Sequence, residues 1–123
     1  MTEEISLTEY LKAVGPKHKY FATRTEVDGI WFDSKAEGKK YSELVILQRV
    51  GKIANLKVHP VFPIIVNEIK ICDFIPDFSF MDLEKGEPVI LDVKSRPTLT
   101  PMYRLKKKLF IALYRRTVTE EFR

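Results

Sequence analysis

Two charged motifs sit where this chain otherwise reads as buried β-strand. Ile75-Pro76-Asp77-Phe78-Ser79-Phe80 is one such run, and Val89-Ile90-Leu91-Asp92-Val93-Lys94 is the next. Both have the length and the β-branched or aromatic content of strands. Side chains two apart on a strand share a face, so Asp92 and Lys94 emerge together while Leu91 and Val93 point the other way. Burying carboxylates and an ammonium is costly unless they pair, accept hydrogen bonds or hold a cation. A chain that carries that cost three times between residues 75 and 94 is expected to do chemistry there.

At 123 residues the chain has the size of a single domain, residues 1–123. A hydrophobic fraction of 45% is ordinary for a globular core. Cys72 is the only cysteine, so no internal disulfide forms, and it reads as buried filler in a strand. One cysteine and two histidines do not make a four-ligand structural zinc site. The apolar stretches are too short to span a bilayer, which argues against a membrane partner. The N-terminus is acidic where a signal peptide is basic, so a cytoplasmic setting is expected.

The net charge of +4 is modest but unevenly spread. Between residues 101 and 116 the chain carries Arg104, Lys106, Lys107, Lys108, Arg115 and Arg116 and no acidic residue. Lys12, Lys17, His18, Lys19 and Arg24 form a second cluster. Such blocks suit a polyanion; a solvated helix face is the plainer reading.

Ser6-Leu7-Thr8-Glu9 has the form of a capping box that opens a short helix stopped by Gly15-Pro16, an N-terminal extension over residues 1–16. Asp28-Gly29 turns a hairpin between residues 20–27 and 30–32. Ser34 and Glu37 frame a second capping box and a helix running to near Gly51. Strands are expected over residues 58–65, 69–74, 75–81 and 88–94, with turns at 66–68 and 84–86. Thr100-Pro101 opens a last helix, whose apolar stripe reads as Met102, Leu105, Leu109, Ala112 and Leu113, with Arg104, Lys107, Lys108 and Arg115 opposite. A strand over 117–122 closes the order.

Phosphodiester hydrolysis needs a cation to neutralise the phosphate and activate water, ligands to hold it, and a positive group for the charge that builds up. Asp77 and Asp92 offer oxygens of the kind Mg²⁺ takes, and the Val93 carbonyl lies between Asp92 and Lys94 as a further one. Lys94 is placed to meet a phosphate or the attacking water.

Pro76-Asp77 followed by Asp92-x-Lys94 resembles the signature of the PD-(D/E)XK nuclease superfamily. The order Val27-Asp28-Gly29, Phe32-Asp33-Ser34-Lys35-x-Glu37, Tyr41, Leu44, Asp77-Phe78, Asp92-Val93-Lys94, Leu105-Lys106-x-Lys108 is similar to small phage and prophage endonuclease-like proteins, over roughly residues 20–116. The resemblance implies an α/β, restriction-endonuclease-like αβββαβ core: a mixed central sheet flanked by helices. It implies metal ligation by Glu37, Asp77, Asp92 and Val93, catalysis by these acids with Lys94, and Mg²⁺ or Mn²⁺ as cofactor. It further implies DNA as partner, branched substrates such as Holliday junctions or flaps, a homodimer, and a bacterial host cytoplasm if the protein is phage-encoded. Leu91 stands where some relatives carry another acid.

Plainer readings stand beside these. Glu37 is also a helix-capping residue. Asp92 and Lys94 could form a simple ion pair. Lys106 lies within the apolar arc, either snorkelling at the core edge or reaching toward the site or a DNA phosphate; with Arg104, Lys107, Lys108 and Arg115 it completes the candidate nucleic-acid contacts. Asp73 reads as a loop or surface residue, Trp31 as a buried or half-buried side chain rather than a base-stacking one, and Gln48 as a polar core edge. His18 and His59 have no ligand partners at useful spacing and are assigned no chemistry. The rival to a nuclease is a non-catalytic nucleic-acid-binding or assembly protein that keeps the same fold.

Overall fold

The computed structural model describes residues 24–95 and 99–123; the expected N-terminal helix lies outside them. The first element is a hairpin of β1 (Thr25–Val27) and β2 (Ile30–Phe32). Asp28 and Gly29 both adopt positive φ, 53° and 80°, as a two-residue turn that follows strand twist requires. Helix α1 (Lys35–Arg49) starts from Ser34, whose Oγ accepts the Glu37 N–H at 3.2 Å. Gly38 lets α1 lie against the hairpin: a Cβ there would be 3.2 Å from the Thr25 and Val27 methyls.

The remaining strands are β3 (Ile53–Val58), β4 (Phe62–Val66), β5 (Ile69–Phe74), β6 (Phe78–Asp82), β7 (Glu87–Lys94) and β8 (Thr119–Phe122), with α2 (Pro101–Tyr114) between β7 and β8. The central sheet has the order β3-β6-β7-β8. β3, β6 and β7 are antiparallel neighbours, and β8 returns parallel to β7. β4 and β5 form their own hairpin, inserted between the first two strands of the sheet. The fold is α/β with a mixed sheet and two helices, compatible with an αβββαβ core once that hairpin is set aside.

The expected elements need correction at four places. The strand expected over 58–65 is two strands, and β3 begins at Ile53. The break falls where His59 takes φ 52° and Pro60 follows, a conformation no ladder continues through. The strand expected from residue 75 begins only at Phe78, because Pro76 has no N–H and the Asp77 N–H is spent on a side chain. The closing strand is shorter than expected. The packed face of α2 is also rotated from the one read off the sequence.

β7 shows the strand period clearly. Leu91 and Val93 join Phe32, Leu44, Ile53 and Phe78 in a core beneath α1. Ile90 faces the other way, with Ile64, Phe74 and Phe110 beneath α2. Phe110 is the centre of that second core, 4.9 Å between ring centroids from each of Phe62, Phe74 and Tyr114. The packed line of α2 is thus the buried Phe110 with the partly buried Tyr103, Leu109 and Tyr114, and of these only Leu109 belongs to the expected stripe. Met102, Leu105 and Leu113 of the expected stripe are exposed. Among the described residues no helix is long and apolar enough to cross a membrane.

Phe110→Ala is expected to cost about 3–5 kcal/mol in denaturant unfolding, and Leu105→Ala less than about 0.5 kcal/mol. Equal losses would mean that the rotated face of α2 is wrong.

Candidate active site

The register of the sheet draws a polar row across one end. Val58 pairs with Phe78, and Phe78 with Leu91. One step further, His59 lies opposite Asp77, and Asp77 opposite Asp92. Asp92 in turn pairs with Glu120 on β8. The His59 N–H donates to the Asp77 carbonyl at 2.9 Å.

Asp77 and Asp92 grip one another. The Asp77 N–H donates to Asp92 Oδ1 at 2.9 Å, and the Val93 N–H donates to Asp77 Oδ2 at 2.8 Å. Each carboxylate is therefore satisfied by the backbone of the other motif. This is why a charged residue survives at Asp92 with 2% exposure, since buried polar groups persist when hydrogen-bonded. Burial, then the Asp77 charge beside it, pushes the Asp92 carboxyl above its ordinary range, with Lys94 opposing.

The second oxygen of Asp92 accepts from the Tyr103 hydroxyl at 3.0 Å, and the same hydroxyl lies 2.8 Å from Glu120 Oε2. Burial first, then Asp92, raises the Tyr103 phenol. Burial works to raise Glu120, but hydrogen bonds from Tyr103 and Lys107 win and hold it below the usual carboxylate range. Lys94 does not close an ion pair with Asp92 among the described residues. Its Nζ lies over the Tyr103 ring, 3.9 Å from the centroid, a cation–π placement.

Glu37 approaches from the start of α1. Its backbone completes the cap on Ser34, whose hydroxyl also donates to Glu37 Oε1 at 3.2 Å. The expected cap is therefore real. The carboxyl is nonetheless 8% exposed and hydrogen-bonded to Asp77. Burial, that hydrogen bond and the Asp77 charge push it up to about 8. One ligand atom each of Glu37, Asp77 and His59 lies within 4.8 Å of the others, a donor set that fits a divalent cation. Asp92 is outside that group, with hydrogen bonds already at both oxygens.

His59 is the residue that sequence reasoning missed. It stands far from Glu37 and Asp77 along the chain, and only strand pairing joins them. Its one sequence signal is the His-Pro step that ends β3. The other residues distribute as follows. Lys106 lines a groove with Lys94, Asp73, Phe74 and Tyr103. Lys107, expected on the solvent face, is three-quarters covered and paired with Glu120 at 3.0 Å. Arg104, Lys108 and Arg115 are exposed. Asp73 lies in β5 rather than in a loop and pairs with Lys70 at 3.1 Å. Trp31 is 53% exposed, with the Arg24 guanidinium 5.0 Å from its ring centroid. Gln48 accepts the Leu56 N–H at 3.0 Å and so ties α1 to β3.

A family model described as "Protein of unknown function (DUF1064)" matches residues 17–121. The chain belongs to the DUF1064 family. No curated protein and no solved structure matches it. The match spans every element of the polar row, so the site lies wholly within the DUF1064 region.

Because the folded Glu37 pKa lies above its unfolded value, the native DUF1064 domain holds a proton that the unfolded chain has released, between pH about 4.5 and about 8. Stability should fall as pH rises through that window. Denaturant midpoints at pH 5 and pH 8 should differ less in Glu37→Gln than in wild type. Tyr103→Phe strips a donor from Asp92 and Glu120 and should cost about 1–3 kcal/mol in the same measurement.

Proposed function

We propose that this DUF1064 protein is a metal-dependent endonuclease that hydrolyses DNA phosphodiester bonds. The observation that carries the reading is the convergence of Glu37 and Asp92 on Asp77, with Lys94 two residues beyond Asp92 on the same strand face. Acids from separate elements, buried together, oppose the binding of any phosphate unless a cation lies between them. A divalent cation, Mg²⁺ or Mn²⁺, would supply charge neutralisation at the phosphate and a more acidic attacking water.

The chain's own residues divide the remaining work. Glu37 and Asp77 would provide oxygen ligands to the cation. Asp92 is the third acid; held by Asp77 and Tyr103, it orients the Asp77 segment and would be a further oxygen ligand. The Val93 carbonyl remains a candidate ligand. Lys94, resting on Tyr103, would meet the phosphate or the water. Lys106 shares its groove and extends the positive surface. Arg104, Lys108 and Arg115 are free to bind backbone phosphates, whereas Lys107 must first leave Glu120.

No element of the sequence reads as a base-reading module, so recognition by DNA shape is favoured over recognition by sequence. Branched DNA such as a Holliday junction or flap, action as a homodimer, a role in phage recombination or replication and a bacterial host cytoplasm follow from the resemblance to phage endonuclease-like proteins.

A non-catalytic nucleic-acid-binding reading is favoured by one observation. The protein itself satisfies both Asp92 oxygens, and burial beside Asp77 pushes the Glu37 carboxyl up to about 8, so the acids are stable without a cation.

End-labelled duplex, flap and four-way-junction DNA incubated with Mg²⁺, Mn²⁺ or chelator should be cut only with metal, and Lys94→Ala should lose about 100-fold or more. Binding without cutting by the folded protein in every metal would establish the binding module instead. Lys108→Ala should lower the slope of log affinity against log salt by about 1 while leaving the cutting rate of bound DNA unchanged.

A further inference from the structure

The histidine in the polar row has a built position. β3 pairs Ile53 with Asp82 and Ala54 with Met81, but Lys57 with Ser79 and Val58 with Phe78. The register therefore gains one residue in β3 between Ala54 and Lys57. Asn55, with φ 57°, absorbs it. Without that bulge Val58 would stand opposite Asp77 and His59 opposite Pro76. Since a one-residue slip exchanges the two faces of a strand, the bulge decides which side chain meets the acids. Bulges re-aim side chains in this way beside functional sites.

Three further contacts hold His59 there. Its N–H donates to the Asp77 carbonyl, so backbone and side chain address the same residue. Its ring lies 5.8 Å from the ring of the fully buried Phe32, tilted by 49°. A ring nitrogen lies within 4.8 Å of oxygens from both Glu37 and Asp77.

We propose that His59 is a direct ligand of the metal centre, completing a set of one imidazole and two carboxylates with Glu37 and Asp77, and that this set selects Mn²⁺ over Mg²⁺. The proposal rests on the reading of Glu37 and Asp77 as metal ligands. Its chemistry is that of the donors. Mg²⁺ takes oxygen ligands and keeps its waters, whereas the divalent ions of the first transition row, Mn²⁺ the weakest among them, accept an imidazole nitrogen. His59 is also better placed than Asp92 to serve. Both Asp92 oxygens already accept hydrogen bonds from Asp77 and Tyr103, and removing either donor's partner would leave a buried group unpaired.

The test is pulsed electron paramagnetic resonance of the full chain loaded with Mn²⁺, alongside calorimetric titration with Mn²⁺ and with Mg²⁺, for wild type and His59→Ala. Wild type should show ¹⁴N modulation of the Mn²⁺ echo, and His59→Ala should not. Mn²⁺ affinity should fall by about 10-fold or more in the variant, and Mg²⁺ affinity by less than about 3-fold. Bound Mn²⁺ with no ¹⁴N modulation in wild type overturns the proposal and leaves the carboxylate site standing. So does modulation that persists in His59→Ala, which would assign the nitrogen to His18. Failure of wild type to bind either ion overturns the reading of Glu37 and Asp77, and this proposal with it.

Discussion

The exchange of backbone amides between Asp77 and Asp92 is the interaction on which the site depends. Two like-charged carboxylates at neighbouring strand ends repel, and burial removes the water that would screen them. Each here accepts a charge-assisted hydrogen bond from the other motif's backbone, the stronger class of such bonds. The grip fixes the residues before β6 against the end of β7 at one register. The position of every other polar group follows from it: His59 across β3, Glu120 across β8, Tyr103 over Asp92, and Glu37 against Asp77.

The same grip joins two layers of the molecule. Glu37 reaches Asp77 from the α1 side, whereas Asp92 and Lys94 project with Ile90 toward α2. Tyr103 is the point of contact on that second side. Its one hydroxyl proton lies between the carboxylates of Asp92 and Glu120, and its ring carries the Lys94 ammonium. A side chain on the basic helix is thereby tied to the acids. The aromatic cluster around Phe110 sets where that helix lies, so packing far from the acids determines the geometry at them.

Much of this was legible in the chain. Asp28-Gly29, the Ser34–Glu37 cap, the turns at 66–68 and 84–86, and the alternation of Leu91, Asp92, Val93 and Lys94 are local signals, written over a few residues and read by local rules. The misreadings share a different cause. The α2 stripe failed because two apolar faces compete on that helix. The aromatic face won, since Phe110 and Tyr114 meet Phe62 and Phe74 of the β4–β5 hairpin, a contact that no helical period announces. β3 was misplaced because its bulge at Asn55 and its end at His59 are dictated by its pairing with β6.

The sequence by itself determined that Asp92 and Lys94 share one face of a strand, that a capped helix presents Glu37, and that a basic helix follows. These are properties of side-chain period and capping chemistry, and each is settled within one segment. Only the tertiary structure decided that Asp77 and Asp92 satisfy one another, that Lys94 rests on Tyr103, that Lys107 is taken by Glu120, and that His59 joins the acids. Those outcomes depend on register, and register is set by the contest between strand pairing, one bulge and two cores rather than by any single stretch of chain.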